Sequence, residues 1–229
     1  MTNIKKNDFV EIDFTGYVNG KIFDTTNTKE AEKIGLEIKD IKPLIISVGN
    51  QMVIKGLDED LEDKEIEKEY FINIPPEKAF GKRNPLMIKT YGINHFKKQN
   101  LNPYSGMVLQ LDNMIAKVIS VNGGRVTIDF NNPLAGKNIT YKYKINKLIT
   151  ENEEKVNALQ DFFFKKRFEF IIKDEKVIFK DEEINNFIEL INSKLKDMTG
   201  LEFVSEIKKN EKSLKNLEKN NNHINQNTQ

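Results

Sequence analysis

The chain contains few side chains capable of covalent, acid–base or metal chemistry. Among its 229 residues there is no cysteine and there are only two histidines, His95 and His223. Disulfides, thiolate nucleophiles and Cys-ligated zinc are therefore excluded. A His-based metal site or catalytic triad is hard to build from two histidines, so we expect no metal ion and no cofactor.

A loop bounded by two glycines, within Val48–Leu57, is the first candidate for a binding function. Gly49 and Gly56 permit backbone conformations that a Cβ atom would penalise. Between them, Val53 and Ile54 carry stiff β-branched side chains that a loop can press into a shared apolar surface. The same pattern fits an ordinary loop of a hydrophobic core, and the loop alone does not separate the two interpretations.

Composition restricts the class of protein. Hydrophobic residues make up 38% of the chain and charged residues 31%, as in a soluble globular protein with real cores. The net charge of +1 gives no global field that favours nucleic acid or a membrane as a partner. The N-terminus lacks the apolar run of a signal peptide, and no stretch approaches the ~18 apolar residues of a membrane span. We therefore expect a cytoplasmic protein.

Several segments of the first 83 residues alternate between apolar and polar positions, as β-strands do. Asn19-Gly20 is a strong hairpin signal. Leu57 and Leu61 are apolar and four residues apart, as on one face of a short helix. The predicted strands are Phe9–Val18, Lys21–Asp24, Pro43–Val48 and Lys68–Ile74, with a loop and a helical turn across 28–38.

After Gly81 the pattern changes to shorter strands. Leu86–Tyr91, Met107–Leu111, Met114–Val121 and Arg125–Phe130 predict a small β-rich unit, and Asn138–Ile145 is placed to rejoin the first sheet. Thr150–Lys155 has the character of a charged linker. Beyond it we predict a helix at Val156–Lys165, strands at Arg167–Lys173 and Lys176–Phe179, a helix at Glu182–Met198 and a strand at Leu201–Ile207.

Five motifs, taken in order, give the chain a family resemblance. They are Phe14-Thr15-Gly16, Phe23-Asp24, Val48-Gly49, Val53-Ile54-Lys55-Gly56-Leu57 and Pro75-Pro76-Glu77-Lys78-Ala79-Phe80-Gly81. In this order they resemble the FKBP-type peptidyl-prolyl cis-trans isomerases. The segment 81–131, closed by Asn132-Pro133-Leu134-Ala135-Gly136-Lys137, resembles the insert-in-flap domain of SlyD-like members. The additional C-terminal region makes the chain similar to archaeal long-type members.

The resemblance implies an α+β fold. An antiparallel sheet would wrap on a short helix, accompanied by a small β-rich insert and a C-terminal α-β-β-α-β domain. The implied domains are 1–83 plus 132–149 for the isomerase, 84–131 for the insert, 150–207 for the C-terminal domain and 208–229 for a polar tail. The implied activity is prolyl isomerisation and chaperoning of proline-containing unfolded or nascent polypeptides, which the insert would capture.

Carried over by position, the family's proline pocket falls on apolar residues and one carboxylate. The catalytic set would be Phe14, Phe23, Asp24, Phe80 and Tyr141. The other pocket walls would be Leu44, Ile46, Val53, Ile54, Leu57 and Leu134. Members of the family often have tyrosine at the positions of Phe14 and Phe80, so two hydroxyls are absent here. We expect activity to persist with weaker binding of macrolide-type ligands.

The chemistry of prolyl isomerisation suits such a pocket. An X–Pro bond crosses a barrier of roughly 18–20 kcal/mol because amide resonance must be broken. At the twisted transition state the charge separation of the amide is reduced, so a dry apolar site favours it over the solvated planar amide. No nucleophile, metal or acid–base pair is needed, which agrees with the composition.

A purely structural role stays open for several of these residues. Asp24 fits a brace of the Thr25-Thr26-Asn27 turn as well as a pocket carboxylate, and Phe80 and Tyr141 fit a core. We expect His95, a loop histidine beside Phe96, to be structural or solvent-facing. The alternative function is a holdase chaperone whose isomerase pocket is weak or vestigial.

The insert is rich in apolar residues for its size. Flexible methionines suit promiscuous binding of extended chains. We expect a chaperone groove formed by Ile88, Tyr91, Phe96, Met107, Val108 and Met114. The alternative is that these side chains only fill the core of the insert.

Three successive aromatic residues mark the C-terminal domain. Phe162, Phe163 and Phe164 cannot share one face of a helix, so at least one should reach a neighbouring domain or another subunit. We hypothesise that this domain mediates homodimerisation or adds client-binding surface.

Overall fold

The computed structural model describes residues 3–37, 41–111 and 114–205, with only the backbone at Glu182. Contacts divide the chain into two units, Met1–Thr150 and Glu151–Gln229. Helices and mainly antiparallel sheets occur together, so the predicted α+β class is confirmed. The finer division into four domains stays a prediction. The predicted tail, 208–229, and residues 206–207 of the last predicted strand lie outside the described residues.

Within its described residues, the first unit contains nine strands and three short α-helices, with 3-10 helices at Pro76–Lys78 and Pro85–Met87. The strands are β1 Phe9–Val18, β2 Lys21–Thr25, β3 Leu44–Ser47, β4 Glu69–Ile74, β5 Ile88–Gly92, β6 Val108–Leu111, β7 Met114–Asn122, β8 Arg125–Asp129 and β9 Ile139–Ile149, and the helices are α1 Thr28–Lys33, α2 Lys55–Asp60 and α3 Ile93–Lys97. The strand predictions for this unit are confirmed to within a few residues. Helix α3 was not predicted from the sequence, because five residues are too few for a helical period to register.

The larger sheet of this unit has the order β2-β1-β9-β4, and β3 also pairs with β1. All of its pairings are antiparallel. Cross-strand partners point to the same face of a sheet, so Phe14 shares a face with Tyr143, and Gly16 with Tyr141. Helix α2 packs against β4 on this face, where the backbone of Gly56 lies against the side chain of Ile74. A Cβ atom at Gly56 would clash, so glycine is required for this close approach.

The smaller sheet has the order β5-β8-β7-β6 and is also antiparallel. Its core contains Phe96 of α3 packed with residues of β6, β7 and β8: Leu109, Ala116, Val118, Val126 and Ile128. His95 lies on α3 and is exposed, with its ring stacked on Tyr91 at 6.0 Å between centroids. Its predicted solvent-facing position is confirmed, but its assignment to a loop was wrong.

The second unit contains helices α4 Asn152–Phe163 and α5 Asn185–Thr199 and a three-stranded sheet. Its strands β10 Phe170–Lys173, β11 Lys176–Phe179 and β12 Glu202–Ser205 follow the order β10-β11-β12, with β11 and β12 parallel. The charged linker predicted at Thr150–Lys155 was wrong, because α4 begins at Asn152. Glu153 and Glu154 lie in its first turn, where negative charge stabilises a helix N-terminus.

The three aromatic residues of α4 pack against other aromatic rings of their own unit. Phe162 and Phe163 are 4.9 Å apart between ring centroids, and both Phe163 and Phe164 contact Phe187 of α5. The helix ends at Phe163 and Phe164 is its C-cap, so the three rings do not lie on one continuous helix. All three are half-buried, and the expectation that at least one of them reaches a neighbouring domain or another subunit stays a prediction.

Candidate active site

Four aromatic side chains of the sequence-predicted site meet on one face of the larger sheet. Phe14 and Tyr141 have ring centroids 5.5 Å apart, and Phe23 lies 5.9 Å from both Phe80 and Tyr141. All three contacts are edge-to-face, the arrangement that aromatic rings favour and that contributes about 0.5–1.5 kcal/mol per pair. Phe14, Phe23 and Phe80 are half-buried and Tyr141 is buried. The rings thus form a rigid apolar wall that remains open to solvent on one side.

A glycine makes this cluster possible. A Cβ atom at Gly16 would lie 2.8 Å from two ring carbons of Phe23 and 3.0 Å from Tyr141. Gly16 pairs with Tyr141 on β9 and with Asp24 on β2, so both neighbouring strands present side chains over its bare backbone. The β1–β2 register shifts immediately after Gly16, and a bulge of this kind re-aims the side chains beside it.

Asp24 brings the one carboxylate of the predicted site to the edge of this wall. The residue as a whole is exposed, yet partial burial of its carboxyl group raises its pKa above the ordinary value, and a hydrogen bond from the backbone of Thr25 offsets part of that rise. The carboxylate also acts on Tyr141. Burial first, and the nearby negative charge of Asp24 second, raise the pKa of the Tyr141 hydroxyl far above its ordinary value. Tyr141 is therefore a neutral hydrogen-bond donor at every working pH.

The predicted binding loop is held by a buried carboxylate. Asp58 in α2 is 3% exposed, and its two oxygens accept hydrogen bonds from the backbone N–H groups of Gly49 at 2.9 Å and Gln51 at 2.7 Å. Both of these residues have positive φ, +78° and +59°, so the loop is tightly curved. The sulfur of Met52 accepts from the backbone N–H of Ser47 at 3.1 Å. The loop is therefore a fixed element that sets the position of Val53 and Ile54.

The other predicted pocket residues differ in exposure. Ile46 and Leu57 are buried, Val53 and Ile54 are half-buried, and Leu44 is 37% exposed. Leu44 and Ile46 pair with Ile12 and Val10 of β1, so they share the face of the aromatic wall. Leu134 is half-buried in the loop whose Gly136 N–H donates to the carbonyl of Gly81, next to Phe80.

Sequence reasoning missed Asp58 and Gly16 as site residues. The acidic run 58–69 contains Lys64 and Lys68, and this mixture of charges is typical of a solvated face. An available signal was that Asp58 follows Gly56 and Leu57 within the first turn of the helix, where a short carboxylate can reach backbone N–H groups. No comparable signal marks Gly16, since its role depends on rings from two other strands.

Comparison with known proteins agrees with this geometry. The family model described as FKBP-type peptidyl-prolyl cis-trans isomerase matches residues 1–91. A short-type peptidyl-prolyl cis-trans isomerase of Methanocaldococcus jannaschii is 34% identical over 144 residues, covering 62% of this chain and 92% of the relative. The chain belongs to the FKBP-type peptidyl-prolyl cis-trans isomerases.

More distant relatives extend the comparison. An FKBP-type 16 kDa isomerase of Escherichia coli is 23% identical over 148 residues, covering 62% of this isomerase and 92% of its own length. The isomerase named SlyD from Aeromonas hydrophila is 25% identical over 129 residues, covering 56% of this chain and 55% of its own. A second family model, described as FKBP26, IF domain, matches residues 91–134.

In this isomerase the segment matched by the second family model adjoins a groove of about 660 Å³. We call it the neck groove, and it lies between the open face of the smaller sheet and the loop that returns to β9. Its lining residues are Arg83, Ser105, Gly106, Val108, Ile115, Ala116, Lys117, Val118, Ile119, Asp129, Asn131, Asn132, Pro133, Ala135 and Lys137.

Of the six residues predicted for a chaperone groove, only Val108 lines the neck groove. Val108 is 64% exposed and Met114 is 43% exposed, whereas Phe96 is completely buried in the core. Phe96 was therefore wrongly placed on a binding surface. Ile88, Tyr91 and Met107 are half-buried, and the latter two pack against the core. Sequence reasoning missed Ile119 and Pro133, because alternation alone does not say which face of a sheet is covered.

Polar contacts hold together the two chain segments that connect the larger sheet to the smaller sheet, one near Arg83 and one near Asn131. The guanidinium of Arg83 donates to Asp129 at 2.5 Å. The side chain of Asn131 accepts from the backbone N–H of Asn84 and donates to its carbonyl, at 2.8 and 3.0 Å. Hydrogen bonds from Asn131 and Arg83 lower the pKa of the Asp129 carboxyl despite its burial. The two connecting segments therefore run side by side, and we call this pair of segments the neck.

Within the described residues, no group of three or more histidine, aspartate and glutamate side chains lies close enough together to hold a metal ion. None of the helices in the described part of the chain combines the length and apolar character that crossing a bilayer requires.

Proposed function

We propose that the isomerase acts on proline-containing unfolded or nascent polypeptides through the pocket formed by Phe14, Phe23, Phe80 and Tyr141. The observation that carries this proposal is the edge-to-face cluster of these rings beside Asp24. A proline ring is apolar and flat, and it fits against such a wall. The loop that holds Val53 and Ile54 would form the base of the pocket.

The pocket accelerates rotation by differential binding. Uncatalysed X–Pro exchange takes about tens to hundreds of seconds because amide resonance must be lost. The planar amide has the larger charge separation and loses more hydration on entering an apolar pocket, so the pocket favours the twisted amide. The twisted carbonyl still needs a hydrogen bond. Within the described residues the Tyr141 hydroxyl has no hydrogen-bond partner, so it is available to donate a hydrogen bond to the substrate carbonyl.

Asp24 completes the electrostatics of this proposal. Its negative charge, close to Tyr141, adds to the larger effect of burial in raising the pKa of the phenol. Because Phe14 and Phe80 lack hydroxyls, Tyr141 supplies the only phenolic hydroxyl among the four rings. This chain would therefore depend on that single hydroxyl more strongly than a relative with tyrosine at those positions.

The test measures isomerisation of a Xaa-Pro peptide with a protease-coupled assay. We expect acceleration over buffer by the full chain, and a loss of at least tenfold in kcat/KM when Tyr141 is replaced by alanine. Aggregation of an unfolded client should be suppressed equally by both proteins. If Tyr141→Ala isomerises the peptide as fast as the wild-type protein, the assigned pocket is wrong. Suppression of aggregation without any isomerisation by the wild type would favour the holdase function.

We further propose that the insert, 84–131, captures unfolded clients and presents their proline bonds to the pocket. Exposed aliphatic side chains support this proposal: Val108, Met114, Ile115 and Leu86 are 43–84% exposed. Val108 and Ile115 lie on neighbouring strands of the smaller sheet and line the neck groove, and exposed apolar side chains that adjoin one another are a usual mark of a protein-binding surface.

The neck makes a clean deletion possible. Because Asn84 and Asn131 are hydrogen-bonded to each other, a short Gly-Ser linker can join Arg83 to Asn132 without distorting the larger sheet. We expect this deletion to keep peptide isomerisation and to lose acceleration of proline-limited protein refolding. Unchanged refolding activity would show that the insert does not capture clients.

For the second unit we propose homodimerisation. Ile171, Ile178 and Val204 form a cross-strand row on one face of its sheet, and Ile171 is 45% exposed. The opposite face, with Phe179 and Phe203, packs against both helices. Light scattering should give a dimeric mass that falls to the monomeric mass in Ile171→Lys. A monomeric wild-type protein at high concentration would contradict the proposal.

A further inference from the structure

The neck groove combines apolar side chains with uncompensated positive charge. Val108, Ile115 and Ile119 are 64%, 70% and 39% exposed, and Pro133 and Ala135 line the opposite side. Its charged lining residues are three cations and one carboxylate, Asp129. That carboxylate already accepts hydrogen bonds from Arg83 and Asn131. Lys117 and Lys137 have no ion-pair partner among the described residues.

Lys117 lies at the centre of the exposed apolar side chains. Along β7 it is flanked by Ile115 and Ile119. Across the sheet it pairs with Val108 on β6 and with Asp129 on β8, whose two carboxylate oxygens are already engaged by Arg83 and Asn131. Residue 119 occupies the irregularity in the β7–β8 register, and its side chain lines the same groove. A purely apolar segment covering this surface would remove water from the ammonium group without giving it a partner, which is costly.

We propose that the neck groove binds an extended client segment in which an acidic residue lies between apolar residues. This inference rests on the proposed client capture by the insert and names the sequence class that is captured. Alternate residues of β7 repeat at about 6.6 Å, twice the rise of a strand, and an extended client repeats at the same spacing. Its apolar side chains then contact Ile115 and Ile119 while its carboxylate pairs with Lys117. Lys137, half-buried on the opposite wall, provides a second cation for the same carboxylate or for its neighbour.

A polypeptide explains the groove better than other anionic ligands do. Among the described residues the lining contains no aromatic or histidine side chain, so a nucleic acid would find no ring there on which to stack its bases. A volume of about 660 Å³ is in the range of sites that enclose a ligand of several side chains. The aliphatic floor provides contacts that a simple phosphate or nucleotide backbone would not use.

The test measures binding of labelled, proline-free peptides to the full chain by fluorescence anisotropy. In these peptides leucine alternates with serine, and the central residue is Glu, Gln or Lys. We expect the Glu peptide to bind about five- to tenfold more tightly than the Lys peptide at low salt. The difference should shrink as salt is added, because exposed charges are screened. Lys117→Glu should reverse the order, and Ile115→Ser should weaken all three peptides.

Lys97→Glu is the matched control, since Lys97 is an exposed lysine of the same insert located on α3. It should leave the peptide order unchanged. The proposal is overturned if Lys117→Glu preserves the preference for Glu, or if no peptide binds to the wild type. Displacement of the Glu peptide by oligodeoxythymidylate, but not by the unlabelled peptide, would also overturn it. Peptide isomerisation, measured in parallel, reports on the proline pocket independently, so failure of either proposal is separately visible.

Discussion

The proposed proline pocket and the neck groove are two apolar surfaces of the same unit with opposite physical character. The pocket wall consists of interlocked aromatic rings with one carboxylate, and Tyr141 is 4% exposed. The groove consists of separate aliphatic side chains, and Ile115 at its centre is 70% exposed. Its unpaired charges are positive, whereas the charge at the pocket is negative.

This difference corresponds to two kinds of binding. Catalysis of bond rotation requires a surface that fits one transition state better than its ground states, so the surface must be rigid and dry. Client capture requires contact with many sequences, which exposed aliphatic side chains and peripheral charges provide. The two surfaces should therefore respond differently to the same size of perturbation. A methyl group added to the pocket should strongly impair isomerisation, whereas one added in the insert should be tolerated.

The largest effect is expected for Gly16→Ala. The new methyl group would lie 2.8 Å from the Phe23 ring, so Phe23 and Tyr141 must move apart. Overpacking of this kind costs about 1–3 kcal/mol of stability, and a displacement of about 1 Å at an active site lowers the rate of reaction by about 100-fold. We expect peptide isomerisation to fall about 10- to 100-fold, measured with a Xaa-Pro substrate, while client binding by the insert persists.

Gly92→Ala is the control for that substitution. Gly92 ends β5 in the smaller sheet, and no atom lies within 4 Å of an added Cβ. Isomerisation and thermal stability should stay near wild-type values. Equal losses in Gly16→Ala and Gly92→Ala would mean that the pocket is no more sensitive to added volume than the insert is.

A smaller effect is expected for Asp58→Asn. The substitution replaces one acceptor oxygen with an amide donor facing the N–H groups of Gly49 and Gln51, at a site that is 3% exposed. Loss of a buried hydrogen bond costs about 1–3 kcal/mol. We expect kcat/KM for peptide isomerisation to fall about tenfold through a shifted loop, with KM rising more than kcat falls. Thermal unfolding and steady-state kinetics of the variant provide the measurement.

Glu59→Gln separates this local effect from a general loss of charge. Glu59 is the exposed neighbour of Asp58 and is paired with Lys55 and Lys78 at the surface, where ion pairs contribute little. Its substitution should leave the kinetics unchanged. A tenfold loss in both variants would remove the special role assigned to Asp58.

The sequence was sufficient to predict the strands of the first unit and the four aromatic side chains that meet on its larger sheet. Strand alternation in Phe9–Val18 and the Asn19-Gly20 turn set the β1–β2 hairpin. The ordered motifs contained Phe14, Phe23 and Phe80, and the family resemblance added Tyr141. These signals are local or are carried by residue type.

What could not be predicted depends on which face of an element is covered. Phe96 and Val108 are both apolar residues of the insert, yet one is buried under the sheet and the other is exposed in the groove. The difference arises because α3 covers one face only, and a helix of five residues has too few turns to show in the sequence. The partners of Asp58 likewise lie seven and nine residues away in a loop with positive φ.

Two tyrosines that are neighbours on the same face of β9 sharpen the contrast between catalysis and stability. Tyr143 donates to the Asp60 carboxylate at 2.5 Å, so Tyr143→Phe should destabilise the fold by about 1–3 kcal/mol. Tyr141→Phe keeps the ring contacts and removes only a hydroxyl that has no partner in the described residues. It should lower kcat/KM about five- to tenfold with little change in stability. Denaturant titration measures the stability of both variants, and steady-state kinetics measure their activity. A single variant that lost both stability and activity would contradict this prediction.

The smallest effect concerns Asp24 and its pH dependence. Partial burial raises the pKa of this carboxyl in the folded protein, so its contribution to stability is present below the unfolded pKa and is lost as the pH rises through the folded pKa. Asp24→Asn cannot ionise and should therefore melt about 1–2 °C above the wild type at pH 7 but not at pH 3.5. Activity should change in the opposite direction, because the variant lacks the one carboxylate charge beside the aromatic rings, whereas Tyr141 stays protonated in both proteins. We expect kcat/KM at pH 7 to fall about two- to fivefold, and the wild-type decline in mildly acidic solution to be absent from the variant. A brace of the Thr25-Thr26-Asn27 turn would instead give a variant that is less stable at pH 7 and has an unaltered pH profile, so the melting temperature and the kinetic profile together decide between the two roles.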